Sequence, residues 1–491
     1  MSGGARRALL LAAYAALVGT GLALHEPWRD EMLFWGIARR AGTPADMLAE
    51  LRHLGHAWLW PAVLWVVARA TGDARGMQAV HLVLACAAAG VLLWRAPFGR
   101  GPKALLLGGY FLSYEYAVLS RDYVFGVLGT FGACALVVRR APAPLALGAT
   151  LALMAQANAY ALVLACALGL SAVAEGWARG GGRRGHALAG AVLAVAGVGA
   201  GLLQILPPEG NIFLEGRSLD LTGGALGRAL AGAWKGLVPL PRLDTPHFWN
   251  TNLLDGFPGA QAGLAALLLL APLLRLLDRP AALVLWVGGN AALLLFVVLL
   301  DFGGARHYGH FFLLLVAAGW LARGGTRRRV AGALPPAVER VAARAALPAA
   351  TALLAAHAAA AACAHALDAR LPFSRSREVA AYLRARGWSA APVVAHRDFA
   401  TKAVADWLER PFYHPVSRRA GREVARRSIG TRELREEVAY LRALARREVL
   451  LLLSGELDLD PPRNVRAVAD FPGAIVADES YTLYESTHDP R

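Results

Sequence analysis

Apolar residues run in long blocks separated by short polar stretches, near 8–25, 76–94, 104–119, 121–138, 143–176, 187–206, 259–275, 281–300, 308–322 and 346–366. A bilayer core about 30 Å thick needs roughly 20 apolar residues per helix, so each block has close to the length of a span. The block 143–176 is long enough for two helices, with Gln156 and Asn158 at the bend, which predicts about eleven spans. A shorter stretch, Ala57 to Ala70, carries Pro61 and suits an interfacial or re-entrant helix. After Leu367 the pattern changes. Amphipathic helical stretches (Ser376 to Arg386, Lys402 to Arg410, Thr431 to Arg447) alternate with strand-like runs (Pro392 to Ala395, Val449 to Leu453, Tyr481 to Tyr484). The expected fold is mainly α: a polytopic helical bundle over residues 1–366, then a small soluble α/β domain over 367–491.

Composition agrees with lipid as the solvent. Of 491 residues 56% are apolar and 18% charged, and the mean hydropathy is +0.42. Disorder, a collagen and a secreted disulfide scaffold are excluded. Cys86, Cys134, Cys166 and Cys363 fall inside apolar blocks and read as small hydrophobes. The net charge of +16 arises mostly in residues 1–366, with 30 Lys/Arg against 17 acids, while the tail holds 21 against 18. Basic loops between spans account for that excess better than a nucleic-acid surface does.

If Ala57 to Ala70 does not cross, the loops holding Arg6/Arg7, Arg95/Arg100/Lys103, Arg139/Arg140, Arg179/Arg183/Arg184, Arg275/Arg279 and Arg323 through Arg344 share one side, with 18 Lys/Arg against 3 acids. The other side of the bundle has 12 against 14. The positive-inside rule then puts the N-terminus in the cytoplasm and the tail outside, in a multi-pass protein of the cytoplasmic (inner) membrane. No small-residue cleavage site follows the first span, so it is expected to be retained. No internal repeat or phosphate-cradling glycine motif is found; Gly180 to Gly182 reads as a turn.

The outer loops concentrate the chemistry. The first begins His25-Glu26-Pro27-Trp28-Arg29-Asp30-Glu31, followed by an amphipathic stretch able to lie along the interface. A carboxylate held there could act as general base for an acceptor hydroxyl or amine, or could merely favour a helix N-terminus. Neighbouring helical residues point apart, so one acid faces a given substrate, and Asp30 is preferred. The second loop carries Glu115 and Arg121-Asp122, where either acid could be an oxygen ligand for Mg or Mn. His53 and His56 stand three apart, but the intervening glycine weakens a shared metal site. Arg306, with His307 and Tyr308, suits a phosphate. The long loop Pro207 to Pro258, with Phe213, Arg217, Trp234, Lys235, Arg242, Phe248 and Trp249, is a candidate lid.

The order of these features resembles the GT-C glycosyltransferases of the ArnT and protein-O-mannosyltransferase type. It runs from a first span to an Asp-Glu pair, a His loop before a Pro-bearing apolar segment (His56 to Trp65), a Tyr-rich acidic second loop (Tyr114 to Tyr123), Arg-x-Tyr at a late span and a soluble tail. The resemblance covers about residues 8–322 in layout. Ala57 departs from a proline often found there, and Arg121-Asp122 matches the family's second loop only loosely. It implies a GT-C-like bundle that moves a sugar from a polyprenyl-phosphate donor to a lipid, glycan or protein acceptor at the outer membrane face, with inversion. It also implies Asp30 as acceptor base with Glu31 beside it, Arg306 with His307 and Tyr308 on the donor phosphate, and a divalent cation at Asp122 or Glu115 with His56. The competing reading is a transporter or lipid flippase, in which buried charges line a path through the bundle. A scaffold presenting the tail leaves the loop acids unexplained.

Overall fold

The computed structural model describes residues 2–180, 184–206, 223–300, 303–328, 336–421, 429–455 and 459–487. Each predicted apolar block is helical there. Among the described residues seven helices are long and apolar enough to cross a membrane: Gly3–Leu24, Arg75–Arg95, Ala159–Ala178, His186–Ile205, Pro258–Leu276, Pro280–Leu299 and Arg344–Asp368. The remaining blocks give shorter or more polar pieces. Block 121–138 becomes Tyr123–Val137, and block 308–322 becomes Ala305–Gly324. Block 104–119 divides into the helix Arg100–Leu107 and a single π-helical turn, Phe111–Glu115. Block 143–176 breaks where expected. Pro144–Ala155 stops at Gln156, and Asn158 caps Ala159–Ala178 by accepting the Ala161 N–H at 2.8 Å.

Helices meet through small residues. A Cβ on Gly148 would stand 2.2 Å from the Gly190 carbonyl oxygen, so Pro144–Ala155 and Arg184–Ile205 touch backbone to backbone there. Leu59–Thr71 has thirteen residues, which span about 20 Å, well short of the hydrocarbon core. It packs beside Arg29–Arg40 and bonds to Gln156, through Trp58 Nε1 at 2.8 Å and the Leu59 N–H at 3.1 Å.

The two ends of the bundle differ in charge. At one end the predicted basic loops touch: Arg179 donates to the Arg139 and Val137 carbonyls, Thr326 caps onto Glu175, Arg327 pairs with Asp278 and Arg328 donates to the Trp177 carbonyl. At the other end of the helix Ala305–Gly324 lie Arg306 and Asp30, which meet there.

The tail forms a six-stranded mixed sheet of β1 (Val393–His396), β2 (Phe412–His414), β3 (Arg419–Gly421), β4 (Leu450–Ser454), β5 (Val465–Phe471) and β6 (Tyr481–Ser486), in the order β3-β2-β1-β4-β6-β5. β1 runs parallel to β2 and β4; the other pairings are antiparallel. Helices Ser376–Ala385, Asp398–Trp407 and Thr431–Ala445 cover it. The tail also settles where the amphipathic helix Arg29–Arg40 lies. Met32, Phe34, Trp35 and Ile37 are buried against Leu59–Thr71 and the tail's Ala403, so the apolar face expected at the lipid interface is covered by protein.

Candidate functional site

The site starts from the way Arg29–Arg40 begins. Trp28 is extended, and its N–H donates to the Glu31 carboxylate at 3.2 Å, closing the first turn. Asp30 and Glu31 occupy that turn and diverge. Asp30 faces two cations, pairing with Arg121 and standing 3.3 Å from Arg306. Burial works against its charge, but Arg121, Arg306 and Arg29 hold the carboxyl well below the usual carboxylate range.

Both arginines are held by aromatic faces. Arg306 lies 5.2 Å from the Trp28 ring and 5.5 Å from that of Trp249; Arg121 lies 5.0 Å from Phe34 and 5.7 Å from Tyr123. A guanidinium fixed this way has little rotamer freedom left to lose on binding an anion, and it can meet a phosphate bidentately. The sequence reading missed Arg121, Trp28 and Trp249 as walls of this cluster. The signal was slight: one cation beside an acid, and aromatics in otherwise polar loops.

Glu31 turns the other way and is fully buried. It meets His25 Nε2 at 3.0 Å and accepts the Ser120 N–H at 2.5 Å, while His25 Nδ1 meets Asp368 at 2.8 Å and Tyr114 donates its hydroxyl to Asp368 at 3.0 Å. Burial disfavours a charged imidazole, but the flanking Asp368 and Glu31 carboxylates push His25 up to about 10. Glu31 therefore braces three segments, and its oxygens are occupied by protein donors rather than offered to an acceptor beside Asp30.

The candidate cation ligands do not converge. Among the described residues no group of three or more His, Cys, Asp or Glu is placed to hold a metal ion. Glu115 accepts from the Tyr110 hydroxyl at 2.8 Å and from Trp249 Nε1 at 3.0 Å; Asp122 stands just before Tyr123–Val137, next to Arg121, without a side-chain cap bond. His56 packs edge-on against Phe34, and burial together with nearby Arg121 pushes its ring down to about 4. Glu115, Asp122 and His56 thus stand apart from one another, each held in its own surroundings.

His307 and Tyr308 also serve elsewhere. His307 Nδ1 accepts the Gly304 N–H at 3.0 Å, and its ring stacks on Tyr160 with centroids 4.9 Å apart. The Tyr308 ring packs against Gly232 and Gly303, where an added Cβ would come within 2.3 and 2.5 Å of it. Tyr308 thereby lines an open trough of about 420 Å³ between the helices Gly223–Leu237 and Pro258–Leu270, with Arg228 and the Lys235–Asp255 ion pair (2.6 Å) on its walls. Within the candidate lid, residues 207–222, including Phe213 and Arg217, lie outside the described residues. The described remainder supplies Trp249, and Asn250 accepts the Ala305 N–H at 2.7 Å.

No family model and no curated protein matches the sequence. Among solved structures the chain is similar to the crystal structure of ArnT from Cupriavidus metallidurans bound to undecaprenyl phosphate, at 14% identity and a TM-score of 0.52, with 100% of each chain covered. At that identity the likeness establishes the fold, and the fold is ArnT-like over the whole chain.

Proposed function

We propose that this chain is an integral-membrane glycosyltransferase that moves a sugar from a polyprenyl-phosphate donor to a nucleophilic acceptor outside the cytoplasmic membrane. The observation that carries the reading is the convergence of Asp30, Arg121 and Arg306 at one end of a helical bundle. Support comes from an ArnT-like fold whose solved neighbour holds undecaprenyl phosphate, and from the trough at Tyr308, two residues from Arg306, with room for part of an isoprenoid chain.

In this scheme Arg306 and Arg121 take the donor phosphate, whose negative charge grows as the bond to the sugar breaks. The acceptor oxygen or nitrogen attacks the anomeric carbon and forms the new glycosidic bond. The carbon–oxygen bond to phosphate breaks with its electron pair, polyprenyl phosphate leaves, and the acceptor proton passes to Asp30. Direct displacement inverts the anomeric centre. The two arginines, together with Arg29, lower the proton affinity of Asp30 in the resting site. When they turn to the phosphate, that affinity rises and Asp30 becomes a better base. Acids and cations gathered at one end favour this reading over a transporter, whose charges would follow a path through the bundle.

The test is to incubate membranes containing the protein with labelled polyprenyl-phosphate sugars and follow label into lipid, glycan and protein fractions. New covalent product supports the transferase. Movement of intact donor across the bilayer without product supports the flippase reading.

A further inference from the structure

The soluble tail reaches the segment that carries Asp30. Arg29, its neighbour, donates its backbone N–H to the Glu479 carboxylate at 3.0 Å, and its guanidinium meets Asp478 at 2.6 Å and Glu479 at 3.3 Å. Both acids are buried and belong to the short 3₁₀ turn Ala477–Glu479 just before β6. The same guanidinium lies between the Trp28 ring at 5.1 Å and the tail's Phe399 at 5.0 Å. On the other flank, Glu31 is tied through His25 to Asp368, the last residue of the helix leading into the tail, and Phe373 of that link packs on the His25 ring at 4.6 Å. The first N–H groups of a helix have no partner within it; Glu31 takes that of Trp28, and Glu479 takes that of Arg29, which the indole of Trp28 cannot accept.

We infer that the C-terminal domain is a working part of the active site, with Glu479 and Asp478 as positioning residues that clamp Arg29 and thereby fix the Asp30 carboxylate. This rests on the glycosyltransferase reading for its kinetic consequence but not for its structural one. A domain tethered only to present a ligand would have no need to seat two buried carboxylates on the residue preceding the base. Farther along the interface Arg40, ten residues on from Asp30, pairs with the tail's Asp406, whose side chain is buried, and Arg39 meets Glu409 at 2.7 Å as a partly exposed surface pair. Displacing a general base by about 1 Å can lower turnover by about a hundredfold while leaving donor binding intact.

The experiment uses the full-length protein in lipid nanodiscs and compares wild type, Asp478→Ala/Glu479→Ala and the control Glu409→Gln, reading amide hydrogen exchange over residues 29–32 and transfer kinetics. The inference predicts faster exchange at 29–32 in the double variant alone, with kcat reduced roughly 10- to 100-fold and KM for the donor within about twofold of wild type. Unchanged exchange overturns it, whatever the activity, and faster exchange with unchanged kcat overturns the positioning role. If wild type transfers no sugar, the functional reading fails and the exchange arm still decides the clamp. If the double variant is not recovered folded, Arg29→Met, which keeps the stem and removes the cation, is read by the same two criteria.

Discussion

The guanidinium of Arg306 lies 3.3 Å from the carboxylate of Asp30, although several candidate spans separate the two residues in the sequence. Arg121 completes the contact from a third segment. An acid paired with two cations and left partly open to solvent stabilises the fold less than it prepares a site, because its partners can be taken over by a stronger anion.

Replacing Asp30 by Asn should reduce transfer by about 10²- to 10⁴-fold, the usual contribution of a positioned base. The amide keeps the shape and one acceptor oxygen, so expression and folding should stay close to wild type. Single-turnover transfer with purified protein checks this, and near-normal rates would remove Asp30 as the base.

Arg306→Lys should behave almost like Arg306→Met. A lysine keeps the charge but loses the planar fork held between the Trp28 and Trp249 rings. Donor KM measured for both variants should rise together; full rescue by Lys would show that charge alone suffices.

Trp249→Phe removes the indole N–H that Glu115 accepts at 3.0 Å, leaving the buried carboxylate with Tyr110 as its other donor. A cost of about 1–3 kcal/mol in stability follows, read as a lowered unfolding midpoint in detergent. An unchanged midpoint would mean that water replaces the donor.

His25 gives a pH dependence of definite sign. Its proton is held up to about pH 10 in the fold, whereas the ordinary imidazole value is 6.5. A raised folded value contributes stability that is complete below the ordinary value and fades as pH climbs through the folded one. Wild type should therefore lose stability between pH 6.5 and 10 more steeply than His25→Gln does. Thermal unfolding of both proteins across that window checks this; equal slopes would contradict the Glu31–His25–Asp368 arrangement.

The apolar blocks were legible because burial in lipid imposes length and composition on every crossing helix, and the break at Gln156–Asn158 was legible because Asn is a good helix cap. Asp30 and Arg306 stood out as ionisable residues beside apolar blocks. What could not be read is pairing across the chain. Nothing local to Glu31 says that it will meet His25 and Ser120, and nothing in Trp249 points to Glu115 and Arg306. His307 looked like a phosphate donor, but the unpaired N–H at the start of its own helix takes its Nδ1. In the tail, the short strands β2 and β3 and the alanine-containing β5 escaped notice because they are set by neighbours in the sheet more than by their own hydrophobic pattern.

In the proposed reaction Asp30 competes with a lipid-borne phosphate for the same two arginines. Equilibrium binding of undecaprenyl phosphate to wild type, Asp30→Asn, Arg121→Met and Arg306→Met in nanodiscs tests it most directly. Opposite signs are expected: tighter binding when the acid is neutralised, although that variant transfers sugar far more slowly, and weaker binding when either arginine is removed. Weaker or unchanged binding in Asp30→Asn, or binding indifferent to both arginines, would contradict it.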